Sequence, residues 1–266
     1  MAKLKLAARL FVLLFLLPIA VSAAVHVLTL PDTDWRSADR SSAGLLPQAA
    51  DTPEAVVRVF AAPTVRWRGI FAVHSWLVIK PAGAERYTRY DVTAWGEPLR
   101  VNGFAADGRW FGRVPDVVFA ADGEAAEAVI PRMQMAIERY AWLRLGDYRA
   151  WPGPNSNTFV AAVLDAVPEV RASLPPTAIG RDFPYDGRWL RATPSGTGLR
   201  LTLGGYGGLA VGLIDGIELN LLGAVAGLDL VHPAITLPGL GRLGVARGAW
   251  GWGDGVASAT ASEARP

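Results

Sequence analysis

The chain has 266 residues, 51% of them hydrophobic and 19% charged, a balance that supports a packed core and excludes a disordered polyampholyte. The absence of cysteine excludes a thiol nucleophile, a thiolate metal site, an iron–sulfur cluster and a disulfide framework. Three histidines leave little for an imidazole metal cage, and the formal net charge of +2 is concentrated at the N-terminus.

Residues 1–24 read as a targeting segment. Lys3, Lys5 and Arg9 precede an apolar run from Leu10 through Val21, and the small residues Ser22, Ala23 and Ala24 follow. Taking those three charges from the 26 basic residues leaves 23 against 24 acidic ones, a net of −1, so no basic face for nucleic acid is implied. Val21, Ser22 and Ala23 resemble a signal-cleavage pattern. The apolar run also continues to Leu30, about the ~20 residues that span a bilayer as a helix. A cleaved signal and an uncleaved anchor with its basic end inside both remain open, and either predicts an exported protein, periplasmic or anchored in the inner membrane. Without cysteine the lipoprotein route is closed. Residues 25–54, rich in Asp, Ser, Arg, Ala and Pro, are expected to be a linker.

Residues 55–247 are expected to form a single α+β domain, an antiparallel sheet with packed helices, preceded by the N-terminal membrane or signal helix. Its core covers 55–195 and a glycine-rich β extension covers 196–247. Strands are predicted over Val56–Phe60, Ile70–Lys80 and Tyr87–Trp95. The second is apolar on both parities and should be a central strand. It carries His74, which by spacing alone is a core histidine hydrogen-bonded to a neighbour. Asp91 lies on the next strand, where a one-residue register slip decides whether it faces His74. A helix is predicted from Asp122 and Gly123 through Leu145, with Ile130, Met133, Ile137, Tyr140 and Ala141 on one stripe, Pro131 starting or kinking it, and Met133 and Met135 as core filling.

The segment from Trp151 to Phe159, WPGPNSNTF, ends one element with two prolines and a glycine and opens a helix running to about Val167. Asn155 or Ser156 sits at its N-terminus, where unpaired backbone amides favour an anion. Asn and Ser also suit an N-cap whatever the protein does. Farther on, Leu199, Leu201 and Leu203 alternate with Arg200 and Thr202, and Ile217, Leu219 and Leu221 alternate with Glu218 and Asn220, as strands do. Asp215 and Glu218 argue against a second membrane span over 207–228, since a central acid costs roughly 2.5–3.5 kcal/mol on insertion scales. Residues 248–266 are expected to be a disordered tail. His26 reads as a membrane-edge residue and His232, beside Pro233, as a turn residue.

The segments FAVHSWLVIK, YTRYDVTAWG and WPGPNSNTF resemble an uncharacterised bacterial domain-of-unknown-function family. The same order of parts also resembles the circularly permuted papain-like enzymes, the lecithin:retinol acyltransferase-like proteins and NlpC-type peptidases. There a strand histidine is followed by a polar orienting residue on the next strand and then by a helix opening with the nucleophilic cysteine. That resemblance implies a permuted papain-like core in which His74 is the base, Asp91 the orienting group and Ser156, in place of cysteine, the nucleophile. Amides at the start of the helix would hold an oxyanion. A serine needs a well-placed base where a thiol is already partly ionised. A second reading keeps the cleft without turnover, with Asn155, Asn157, Trp76, Trp95 and Trp151 binding a peptide, glycan or lipid. A third is a structural envelope protein that contacts membrane or a partner through its glycine-rich region. No cofactor and no metal are expected, and the membrane is the expected partner of the N-terminal segment.

Overall fold

The computed structural model describes residues 1–29 and 36–245. The expected tail and residues 30–35 of the expected linker lie outside the described residues. The apolar N-terminal run forms helix α1 (Ala2–Phe11), a π-helical stretch (Val12–Leu16) and helix α2 (Leu17–Thr29), continuous over Ala2–Thr29. It is long and apolar enough to cross a membrane. One stripe of it, Phe15, Pro18, Ser22 and His26, is buried. The Ser22 hydroxyl donates to the Ile70 carbonyl and, at 3.2 Å, to that of Gly239, while His26 Nε2 lies 2.8 Å from the Arg66 carbonyl. His26 is thus packed against a 3-10 turn (Arg66–Ile70) instead of standing at an edge.

A five-stranded antiparallel sheet follows, formed by β1 (Val56–Pro63), β2 (Val73–Lys80), β3 (Thr88–Val92), β4 (Leu99–Val101) and β5 (Asp116–Asp122) in the order β4-β3-β2-β1-β5. The strand expected to be central is at the centre. It begins three residues late because Arg66–Ile70 close into the 3-10 turn. Val57, Val59, Leu77 and Ile79 face helices α3 (Gly123–Glu138) and α4 (Ser156–Asp165), which supply Met133, Ile137, Phe159 and Val163. The opposite face is closed by Phe60, Ala62, Trp76, Val78 and Trp110. Helix α3 ends at Glu138, earlier than the periodicity predicts; Pro131 is accommodated inside it, Met133 is buried, and Met135 and Ala141 are exposed. Residues 36–54 lie along the domain, with Leu46 packed on the tryptophan face and Asp107 accepting from the Leu45 amide at 2.7 Å.

The glycine-rich region is a meander of seven antiparallel strands in sequential order: β6 (Leu190–Ala192), β7 (Gly198–Leu203), β8 (Gly207–Gly212), β9 (Gly216–Leu221), β10 (Ala224–Asp229), β11 (Ala234–Leu237) and β12 (Gly241–Gly244). No helix occurs over 207–228. The register places Leu199, Val211, Ile217, Leu228, Ile235 and Leu243 in one row across six strands. The parallel rows add Leu190, Leu201, Leu209 and Leu219. All ten of these side chains are exposed. The other face carries Arg200, Glu218, Asn220 and Arg242. It packs inward, where Arg181 meets Glu218 at 2.5 Å and Asp182 meets Arg200 at 3.3 Å. His232, in the turn after β10, is buried 3.8 Å from Asp229.

Candidate functional site

The Asn-Ser-Asn-Thr run sets the start of α4 by its own chemistry. Asn155 is the N-cap: its side-chain oxygen accepts from the amides of Asn157 and Thr158 at 2.9 and 3.1 Å, and Thr158 Oγ1 accepts from the Asn155 amide at 3.1 Å. The Asn155 amide nitrogen donates to the carbonyls of Ala150 and Ile179. Asn157 donates to the carbonyls of Val73 and Ile179 at 2.9 and 2.8 Å and accepts from Ser75 Oγ at 2.8 Å. Both asparagines are spent on tying the helix to β2 and to the loop at 179. Neither has a donor left for a ligand.

The β2–β3 register continues so that Asp91 stands diagonal to His74 on one face of the sheet. His74 Nε2 and Asp91 Oδ1 are 2.9 Å apart, and Arg89 grips the same carboxylate through Nε at 2.7 Å and Nη2 at 2.9 Å. The third guanidinium nitrogen, Nη1, donates to the Ala105 carbonyl at 2.7 Å. Trp76 lies 4.0 Å from the guanidinium, and Trp110 stacks on the His74 ring at 3.8 Å with 10° between planes. His74, Arg89 and Asp91 are all buried. Burial works to raise the Asp91 carboxyl, but the hydrogen bonds from His74 and Arg89 outweigh it and hold it below its usual value. Burial lowers His74 from 6.5 against the pull of Asp91, and the Arg89 charge adds a smaller push in the same direction. An ionised carboxylate only accepts, so Nε2 carries the ring proton and Nδ1 keeps its lone pair.

His74 and Ser156 line one pocket of about 300 Å³ with Trp95, Trp110, Phe111 and Tyr148. No hydrogen bond joins Ser156 to His74 among the described residues. Tyr148, whose ionisation burial pushes up, shares this wall with Ser156. His74 stands on the tryptophan face of β2, whereas its neighbour Ser75, on the opposite face, meets the start of α4. Three of the helix-start amides expected to hold an oxyanion are taken: those of Asn157 and Thr158 by the cap, and that of Phe159 by the Asn155 carbonyl at 3.0 Å. Of the three tryptophans singled out, only Trp95 lines the pocket. Trp76 is fully buried, with Nε1 donating to the Ala106 carbonyl, and Trp151 packs on Tyr206, with Nε1 donating to the Leu222 carbonyl.

Three participants escaped the sequence reading. Arg89 was visible on the same strand face as Asp91, two residues away, and that spacing was the available signal. Trp110 and Tyr148 lie in irregular segments where no periodicity reveals what they face. An α+β unit of this kind, a five-stranded sheet with a helix capped against its central strand, holds the pocket. Residues 54–183 match the model of a family described as a protein of unknown function (DUF3750). No curated protein and no solved structure matches the chain.

Proposed function

We propose that the pocket binds the acyl or amide group of a peptide, glycan or lipid at the cell envelope, as a binding module. The observation that carries this reading is the pocket wall itself. Trp95, Trp110 and Phe111 offer apolar contact, while Ser156, Tyr148 and His74 Nδ1 offer a small convergent polar set. No hydrogen bond joins Ser156 to a base among the described residues, which supports binding over turnover. A dansylated fatty acyl amide titrated into the full chain tests it. Trp95→Ala should weaken binding about tenfold, the effect of losing an anchor of at least about 1 kcal/mol, while Trp189→Ala should not. Equal binding by both variants removes the pocket as the site.

The second reading is a papain-like hydrolase or acyltransferase. It is favoured by the chain order of strand histidine, polar residue on the next strand and capped helix carrying Ser156. Turnover would require Ser156 to pass its hydroxyl proton to His74 Nδ1 as Oγ bonds to the acyl carbon. The imidazolium would then protonate the departing group, and water would release the acyl-serine. A fluorophosphonate adduct on Ser156, lost in Ser156→Ala and His74→Ala, would establish this reading over the first.

A further inference from the structure

We propose that the leucine face of the β6–β12 sheet lies on a lipid bilayer, in the leaflet that also takes the N-terminal helix. This does not depend on what the pocket binds. On that face every strand residue is Gly, Ala, Val, Leu or Ile, with charged and amide side chains confined to the other face. A half-solvated antiparallel sheet in water shows the reverse, apolar inside and polar outside. Here Thr202, Asn220, Asp229 and Thr236 are buried, and the row from Leu199 to Leu243 is exposed at 45–58% per residue. Apolar patches of this extent are interaction surfaces.

The helix says what covers it. Ala2–Thr29 has a mean hydropathy of 2.5 over its most apolar window, of which 22% is buried in the protein. Its buried stripe docks on the 3-10 turn and the β11–β12 turn, and its π-helical stretch touches β10. That strand carries Ala224 and Ala226 on the leucine face where β9 carries Leu221 and Leu219, and Ala226 is buried. A second copy of the chain could cover the sheet, but the exposed side of the helix would stay uncovered. One bilayer covers both. Trp151, Trp189 and Tyr206, all exposed, gather at the end of the sheet formed by the β7–β8 and β9–β10 turns, as residues of a headgroup zone do. Among the described residues the sheet is open, with no strand paired beyond β6 or β12, which keeps it at the headgroup–acyl boundary instead of across the hydrocarbon.

The absence of cysteine allows single-site labelling without background. The full chain, reconstituted in phosphatidylethanolamine–phosphatidylglycerol vesicles, carries an environment-sensitive dye at Leu201→Cys, Leu219→Cys or Leu243→Cys. Leu13→Cys on the helix marks insertion, and Glu127→Cys on α3 marks exposure to water. Lipids bearing spin labels on the acyl chain should quench the three sheet positions and Leu13→Cys and leave Glu127→Cys bright. Quenching at Leu13→Cys alone overturns the proposal. So does a chain that leaves the vesicles, or one whose Leu219→Cys positions cross-link between two copies.

Discussion

Replacing Arg89 by Met tests why His74 is held neutral, because it removes one charge and keeps an apolar stem to pack on Trp76. The carboxylate of Asp91 loses two charge-assisted hydrogen bonds, of 2.7 and 2.9 Å, in a fully buried position. At about 1.5–3 kcal/mol each, the two bonds together are worth about 3–6 kcal/mol, in line with the roughly 3–5 kcal/mol cost of leaving one member of a buried pair alone. For a chain of this length that lowers Tm by about 6–20 °C. The pH dependence is the sharper readout. In the native protein the folded His74 value is below 6.5, so its contribution to stability is complete above 6.5 and is lost as pH falls toward the folded value. Without the Arg89 charge the folded value of His74 rises, so less of its contribution is lost on acidification. Thermal unfolding in detergent micelles should therefore show a Tm deficit that is full near pH 8 and shrinks near pH 5.5. A deficit under about 1 kcal/mol, or one that does not change with pH, would refute the argument that Arg89 compensates Asp91.

Three further outcomes follow from the packing. Asn155→Ala removes the N-cap and leaves the Ile179 and Ala150 carbonyls without a donor that reaches both; urea unfolding should show a loss of at least about 2 kcal/mol, and a loss under half of that would mean the cap is redundant. Gly180 has φ +96°, and a Cβ there would run into the Asn155 side-chain amide, so Gly180→Ala should cost more than the ~1–2 kcal/mol of a left-handed alanine and weaken acyl-amide binding in the same variant. Met133→Ala, beneath the first sheet, should cost about 2–5 kcal/mol of stability while leaving the affinity of the folded protein for the acyl probe unchanged; a matching loss of affinity would place the pocket's shape under control of that core.

The strand order around His74 was legible because the pattern there has one physical meaning. A strand apolar on both parities must be covered on both faces, and β2 is. Asp91 was legible as a candidate, but its partner was a matter of register, which the turn after β2 sets and no local pattern records. The N-cap at Asn155 was legible from residue type alone. What Asn155 and Asn157 consume was not: the carbonyls of Val73 and Ile179 that accept from them come from chain segments distant in sequence. The helix through Leu145 failed at its end because Tyr140 continues the apolar stripe while packing on Phe159 from beyond the helix terminus. In the second sheet the alternation correctly indicated strands. It could not say which face is inside, since a period of two is the same with leucine inward or outward.

That ambiguity bears on the pocket as well. The 3-10 turn that receives the helix, through Ile70 and Arg66, supplies Arg68 to the pocket wall, with Thr64 and Val65 just before it. The helix is therefore a structural support of the pocket, and its removal at a cleavage site near Ala23 would take away Ser22, one of the two polar links to that wall. On the proposed bilayer contact, a pocket whose rim is held by an apolar helix, beside a sheet with leucines outward, would lie where acyl chains are concentrated. The physical logic then runs in one direction. On that proposal the leucine face of the second sheet and the exposed side of the helix meet one apolar surrounding, and the turn that receives the helix ties its position to the wall that Ser156 and His74 share.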